Sequence, residues 1–372
     1  MKIVNRLLAA SAAIAFAWPA FAQDLNAMPA ADLLPLAQKE GKVTVYSFTS
    51  RIARVEEAFE KTYPGIDMQG YDISSTEMVT RLKAEAAAGA ANADVIYISD
   101  APVVLTELLA SGIIEAYVPP RVAGLVPDNY KAPLLAQRLS TKVLMYNEES
   151  YPNGSPVTNL WQLTTPDWKG KVVMVDPLQR GDYLDLMTEI VLQSDAMAAA
   201  YEKQFGKAIE LGEAKNAGEK FITDLFANGL VLVGSTDDVN AAVGKKGQTG
   251  APVGFTTYSD RRDNEDEGWA LQVANTVEPS NGILFPAVVG IAKGAVNPAS
   301  ARLVIDFLMG DDSNTGGDGF KPFYVAGDYA TRTDIAPHPD AVPLGEFTAW
   351  RVDSAKTAEI RAAVGDLILT LQ

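Results

Sequence analysis

TPDWKGKVVMVDPLQRGDYLDLM, residues 165–187, contains a strand, a polar turn and the start of a helix. Residues 171–175 are a lysine-flanked apolar run that stops at Asp176-Pro177, because proline cannot continue a central β-ladder. Apolar periodicity resumes at Tyr183, Leu184, Leu186 and Met187. Gln179, Arg180, Gly181 and Asp182 therefore occupy a strand-to-helix loop, where open α/β sheets bind ligands. Arg180, Gly181 and Asp182 suit an anion there: a helix N-terminus offers free backbone N–H groups, and arginine grips a phosphate or carboxylate bidentately. The competing reading pairs Arg180 with Asp176 or Asp182 in a solvated loop.

The same unit recurs upstream. Residues 42–48, KVTVYSF, form a β-branched and aromatic strand, followed by Thr49-Ser50-Arg51 and a helix with Ile52, Val55, Phe59 and Tyr63 on one face. Residues 66–71 are a second strand, and Ser74-Ser75-Thr76-Glu77 opens the next helix as a capping box with Ser74 at its N-cap. Residues 94–98, DVIYI, are a continuous apolar strand of the kind buried on both faces, and Ser99-Asp100 caps a helix starting at Ala101-Pro102. Strands alternating with helices predict a mainly parallel sheet whose loops 48–51, 73–76 and 99–101 meet at one edge. Ser50, Arg51, Ser74, Ser75, Thr76 and Asp100 are then one half of a ligand site, although hydroxyls at helix starts also serve as plain caps.

Downstream, residues 142–147 (KVLMYN) read as a strand, and the Pro- and Gly-rich residues 151–156 have the composition of a passage between lobes. Beyond the opening stretch come a long helix over 182–205, an amphipathic helix over 217–228, a strand over 229–233 and another over 248–263 ending in a charged loop. Ser235 to Asp238 fits an S-x-x-D capping box, which leaves Asp237 as a free acceptor for sugar hydroxyls or an ammonium group. Tyr258, Tyr183 and Tyr46 are candidate walls, with Tyr46 better placed in a core. Residues 287–292 form a strand, Asn297-Pro298 starts a helix, and a last helix aligns Ile360, Val364, Leu367 and Leu371.

A length of 372 residues is too great for one ordinary core and suits two α/β lobes. The expected division is 1–22 as an export signal, 23–145 as the N-terminal lobe, 146–286 as the second lobe, and 287–372 as a return to the first. The signal reading rests on Lys2 and Arg6, the apolar residues 7–16, and Ala20-Phe21-Ala22 as an A-x-A cleavage site. No later apolar stretch approaches the ~20 residues of a membrane helix, so no stable membrane insertion is expected. The absence of cysteine excludes disulfides and thiolate chemistry, and together with export suggests a bacterial periplasm. Removing residues 1–22 shifts the formal charge from −16 to −18, which argues against nucleic acid as a partner and suits solubility. No G-x-S-x-G, Walker A or G-x-G-x-x-G motif is present, and one proline-flanked histidine, His338, is a poor catalytic base, so an enzyme is not expected. Asp312, Asn314 and Gly316-Gly317 imitate a calcium loop, but Phe323 stands where the bidentate glutamate belongs. No cofactor and no resident metal are expected.

KVTVYSF with TSR after it, DVIYISDA, KVLMYN, TPDWKGKV ending in Asp-Pro, GIAKGAVNPASARLVIDFLM and GDYATRTDI, in this order, resemble the solute-binding proteins of ABC importers. The resemblance is to the branch named for ferric iron, which also includes binders of sugar phosphates and phosphonates. It implies a type II periplasmic-binding-protein fold: two α/β lobes, each a mainly parallel sheet flanked by helices, joined by two crossover strands, with the solute in the cleft between them. It also implies a monomer that delivers its solute to permease subunits in the inner membrane. Iron-binding members carry adjacent tyrosines after the strand that is here 229–233, whereas this chain has Ser235-Thr236-Asp237-Asp238. The expected solute is accordingly small, polar and anionic, such as a sugar phosphate or phosphonate. A ferric-ion receptor of the same family, or a secreted two-domain enzyme acting on a phosphorylated substrate, is the alternative.

Overall fold

In the computed structural model, residues 24–372 are described; the signal segment read at residues 1–22 lies outside them. Eight strands carry the architecture: β1 Lys42–Ser47, β2 Asp67–Asp72, β3 Val95–Ile98, β4 Leu135–Asn147, β5 Val172–Val175, β6 Val231–Val233, β7 Val253–Thr256 and β8 Gly282–Ala292. Their order across the sheet is β2-β1-β3-β8-β4-β7-β5-β6. Pairing is parallel within β2-β1-β3 and within β7-β5-β6, and antiparallel wherever β8 or β4 takes part in this path. Two parallel α/β halves are thus joined by two long strands running between them. In β3, Val95 and Tyr97 enter one apolar cluster while Ile96 and Ile98 enter another on the opposite face, as the period of two demands in a sheet covered on both sides. A third cluster fills the other half, built from β5, β7 and the helices Gly181–Leu192 and Ala217–Ala227.

The crossing strands correct the sequence reading. The strand expected over 142–147 begins seven residues earlier, at Leu135, and every residue of β4 is buried. Its polar first half, Gln137 to Lys142, conceals it from a search for apolar runs. Residues 151–156 are a loop after β4, so the passage between the halves is made by sheet rather than by that loop. β8 likewise starts at Gly282, five residues before the expected position. Only glycine fits at 282: φ is +144°, and a Cβ would collide with the Lys142 carbonyl and lie 2.7 Å from the Val143 Cα.

Other boundaries shift for local reasons. The helix expected over 182–205 is two helices, Gly181–Leu192 and Ser194–Phe205, separated at Gln193. Residues 248–263 hold only the four-residue β7, after which Tyr258–Asp263 turn into a 3-10 helix. Ser74 and Ser235 do cap their helices, accepting from the N–H groups of Glu77 (3.2 Å) and Asp238 (3.1 Å). Asp100 and Asn297 do not cap through their side chains. The Asn297 amide donates instead to Asp94, whose carboxylate also accepts from the Asn297 and Thr44 backbone N–H groups. The C-terminal helix Ser354–Leu371 packs across the helix Gly181–Leu192 and the segment after Asp100, touching both halves.

Candidate functional site

A cavity of about 210 Å³ lies between the halves. Side chains alternate along a strand, so Arg138, Ser140 and Lys142 share one face of β4 and form its floor together with Phe285 of β8. Thr49, Ser50, Arg51 and Asp72 line it from the first half. Arg180, Asp182 and residues 235–237 line it from the second, joined by Thr257, Asp260 and Arg262 from the segment after β7.

The floor is a buried ionic network. Arg51 Nη1 donates to Asp328 Oδ2 at 2.5 Å, and Arg138 Nε lies 3.2 Å from the other carboxylate oxygen. Burial opposes ionisation of Asp328, but Arg138 and Arg51 outweigh it and hold the carboxyl below its usual range. Arg138 is fully buried, stacks 4.4 Å from the Phe323 ring centroid, and is pushed down to about 9 by burial against the pull of Asp328. Its Nε is held by Asp328, whereas Nη2 has no hydrogen-bond partner. At the other end of the floor, Lys142 Nζ donates to Thr257 Oγ1 (2.6 Å), lies 3.2 Å from Asp182 Oδ2, and sits 5.0 Å from the Tyr183 ring centroid. Burial lowers the Lys142 ammonium, whereas Asp182, although buried, is held low by Lys142 and Arg180.

The sequence-derived residues divide into two groups. Ser50, Arg51, Arg180, Asp182, Ser235 and Asp237 line the cavity. Arg180 faces it while turned toward Asp182, with Nη2 3.4 Å from Oδ2, so the ion-pair reading and the cavity reading describe the same side chain. Ser74, Ser75, Thr76, Asp100, Gly181 and Tyr258 do not line it. Ser75 Oγ is buried against Ser99 Oγ at 2.9 Å, and Thr76 reaches only the Gln179 carbonyl of the opposite half, at 3.5 Å. Tyr258 forms no wall: it is 1 % exposed, stacks on Phe347, and directs its hydroxyl to the Asp340 carbonyl. Tyr183 and Tyr46 are buried as well, the latter donating to Glu85. Sequence reasoning missed Arg138, Ser140, Asp72, Asp260 and Arg262. The first two could have been found from the alternation R-x-S-x-K over 138–142, which puts three polar groups on one strand face.

Behind the cavity, Asp100 and Gly181 have another use. Arg361 of the C-terminal helix reaches Asp100 Oδ2 at 3.1 Å and Asp185 Oδ1 at 2.7 Å, tying the two halves together. Gly181 has no room for a side chain because a Cβ would strike the Asp100 carboxylate. Burial raises both carboxyls, and their mutual repulsion lifts Asp185 well above its usual range, more than Arg361 offsets. A carboxyl raised on folding makes the native state bind the extra proton. Its contribution is therefore complete below about pH 4, the unfolded value, and is lost as pH rises through the folded value. Asp185→Asn, which is neutral at all pH, is expected to flatten this loss, worth up to about 1.4 kcal/mol per pH unit while one proton is held. Urea midpoints of both proteins between pH 4 and 8 measure the difference, and parallel curves would refute the assignment.

A family model described as bacterial extracellular solute-binding protein matches residues 42–315. No curated protein sequence matches the chain. Among solved structures, iron-bound HitA from Pseudomonas aeruginosa is 18% identical with a TM-score of 0.68, over 89% of this chain and 99% of that one. AfuA from Actinobacillus pleuropneumoniae with fructose-6-phosphate bound is 19% identical with a TM-score of 0.64, over 89% and 97%. AgtB from A. tumefaciens R10 in complex with agropinic acid is 16% identical with a TM-score of 0.64, over 89% and 98%. At these identities the likeness is one of fold.

Proposed function

This chain belongs to the bacterial extracellular solute-binding proteins, and from that premise we propose that it is the periplasmic receptor of an ABC importer, closing its two lobes on a small anionic solute. The observation that carries the anion is Arg138: a fully buried guanidinium on the cavity floor whose Nε is held by Asp328 and whose Nη2 has no partner. An unsatisfied charged donor in a dry site is costly, and a phosphate, phosphonate or carboxylate oxygen supplies what it lacks. Arg51 and Lys142 flank it, each paired with a carboxylate, Asp328 and Asp182 respectively. Relatives in fold hold iron, a sugar phosphate and agropinic acid. The two organic ligands are the better guides here, because the lining residues include no tyrosine and Asp260 is already engaged by Arg262.

Ligand selects the closed arrangement by touching both lobes, with the long strands β4 and β8 as the hinge. Binding shows as heat stability: a ligand at a hundred times its dissociation constant adds about 2.7 kcal/mol. In a melting screen of sugar phosphates, phosphonates, organic acids and ferric citrate, the organic anions are expected to raise the midpoint. A response confined to ferric citrate would favour an iron receptor, and turnover of a bound phosphate ester would favour an enzyme.

A further inference from the structure

The cavity that offers an unpartnered donor also offers an unpartnered acceptor. Asp182 Oδ2 is taken by Lys142 and Arg180, but Oδ1, on a carboxylate 2 % exposed, has no partner. Two further carboxylates stand at the exposed mouth, Asp72 from the first lobe and Asp237 from the second. Neither is within salt-bridge distance of a cation among the described residues, and Asp72 is raised by burial against only the more distant pull of Arg180. The positive groups, in contrast, are mostly engaged: Arg51 by Asp328, Arg262 by Asp260 and Asp263, Lys142 and Arg180 by Asp182. A solute that was only an anion would meet Arg138 Nη2 and leave Asp72 and Asp237 without a counter-charge, and Asp182 Oδ1 without a donor, as the lobes close and water leaves.

Resting on the receptor reading above, we infer that the solute is bipolar: an anionic group seated at Arg138 and, at its other end, an ammonium group received between Asp182, Asp72 and Asp237. An ammonium has three donors and no acceptor, matching a set of carboxylate oxygens. A cavity of about 210 Å³ lies below the usual range for drug-sized ligands, so the two poles are separated by a short chain. Asp72 and Asp237 belong to different lobes, so one ammonium between them turns a repulsion that opposes closure into an attraction that favours it.

Calorimetric titration of matched pairs tests this: 3-aminopropylphosphonate against propylphosphonate, and 4-aminobutyrate against butyrate, with glucose 6-phosphate as a hydroxyl-bearing comparison. The amine-bearing member is expected to bind at least tenfold tighter in each pair that binds, and Asp237→Asn is expected to narrow that gap. Equal or tighter binding of the amine-free member overturns the bipolar solute while leaving the anion receptor intact. Tighter binding of glucose 6-phosphate than of every amine overturns it in favour of hydroxyls. Binding of none of them overturns the receptor reading together with this one.

Discussion

Asp328→Ala is expected to cost about 3–5 kcal/mol of folding stability, although the residue lies 277 positions from one of its partners and 190 from the other. Its carboxylate is the counter-ion of two guanidiniums that burial has stripped of water, Arg51 and Arg138. Removing it leaves those two positive charges facing each other across a dry floor, a larger penalty than the pair is worth while intact. Because Asp328 is held below its unfolded value, its contribution is present at neutral pH and is lost as pH falls through the folded value. The same substitution at Asp312, whose side chain is 94 % exposed, should change stability by no more than about 0.5 kcal/mol. Urea unfolding of both variants at pH 7 measures the contrast, and equal, small losses would show that the floor network does not stabilise the fold.

What the sequence disclosed followed from how local each cause is. KVTVYSF, DVIYI and VVMV announce buried parallel strands through composition alone, and Ser74 and Ser235 announce helix starts through spacing, so the α/β units and the cavity-lining loops at Ser50, Arg51 and Arg180 were legible. The floor was not. Arg138 and Lys142 lie in a strand buried on all sides whose polar residues are there for the cavity, so apolar periodicity, the usual sign of a strand, fails where function overrides it. Tyr258 misled in the opposite sense, since an aromatic beside a charged loop reads as a wall, while the fold stacks it on Phe347. Asp328 and Arg361 act over separations no local pattern encodes: the first closes on Arg51, and the second joins Asp100 to Asp185 from the final helix. Asp100 and Gly181 thus belong to the site's support rather than to its lining.

Arg138→Gln should have the largest effect on binding. Glutamine keeps the length of most of the stem and can still donate a hydrogen bond, but it removes the charge that an anion would meet on the floor. Asp328 keeps Arg51 as a partner, so folding should suffer less than in Asp328→Ala. Losing the charged partner of a desolvated anion costs about 2 kcal/mol or more, which is at least roughly thirtyfold in affinity. Arg180→Gln, at a side chain 27 % exposed and already turned to Asp182, should cost roughly tenfold or less.

Calorimetric titration of the best anion from the melting screen into the wild type and Arg138→Gln, each first shown to be folded by its urea transition, tests the central claim most directly. A loss of thirtyfold or more on Arg138→Gln would place the anion on the crossover-strand floor between the lobes. Equal affinity for the two proteins would contradict it and put the solute elsewhere.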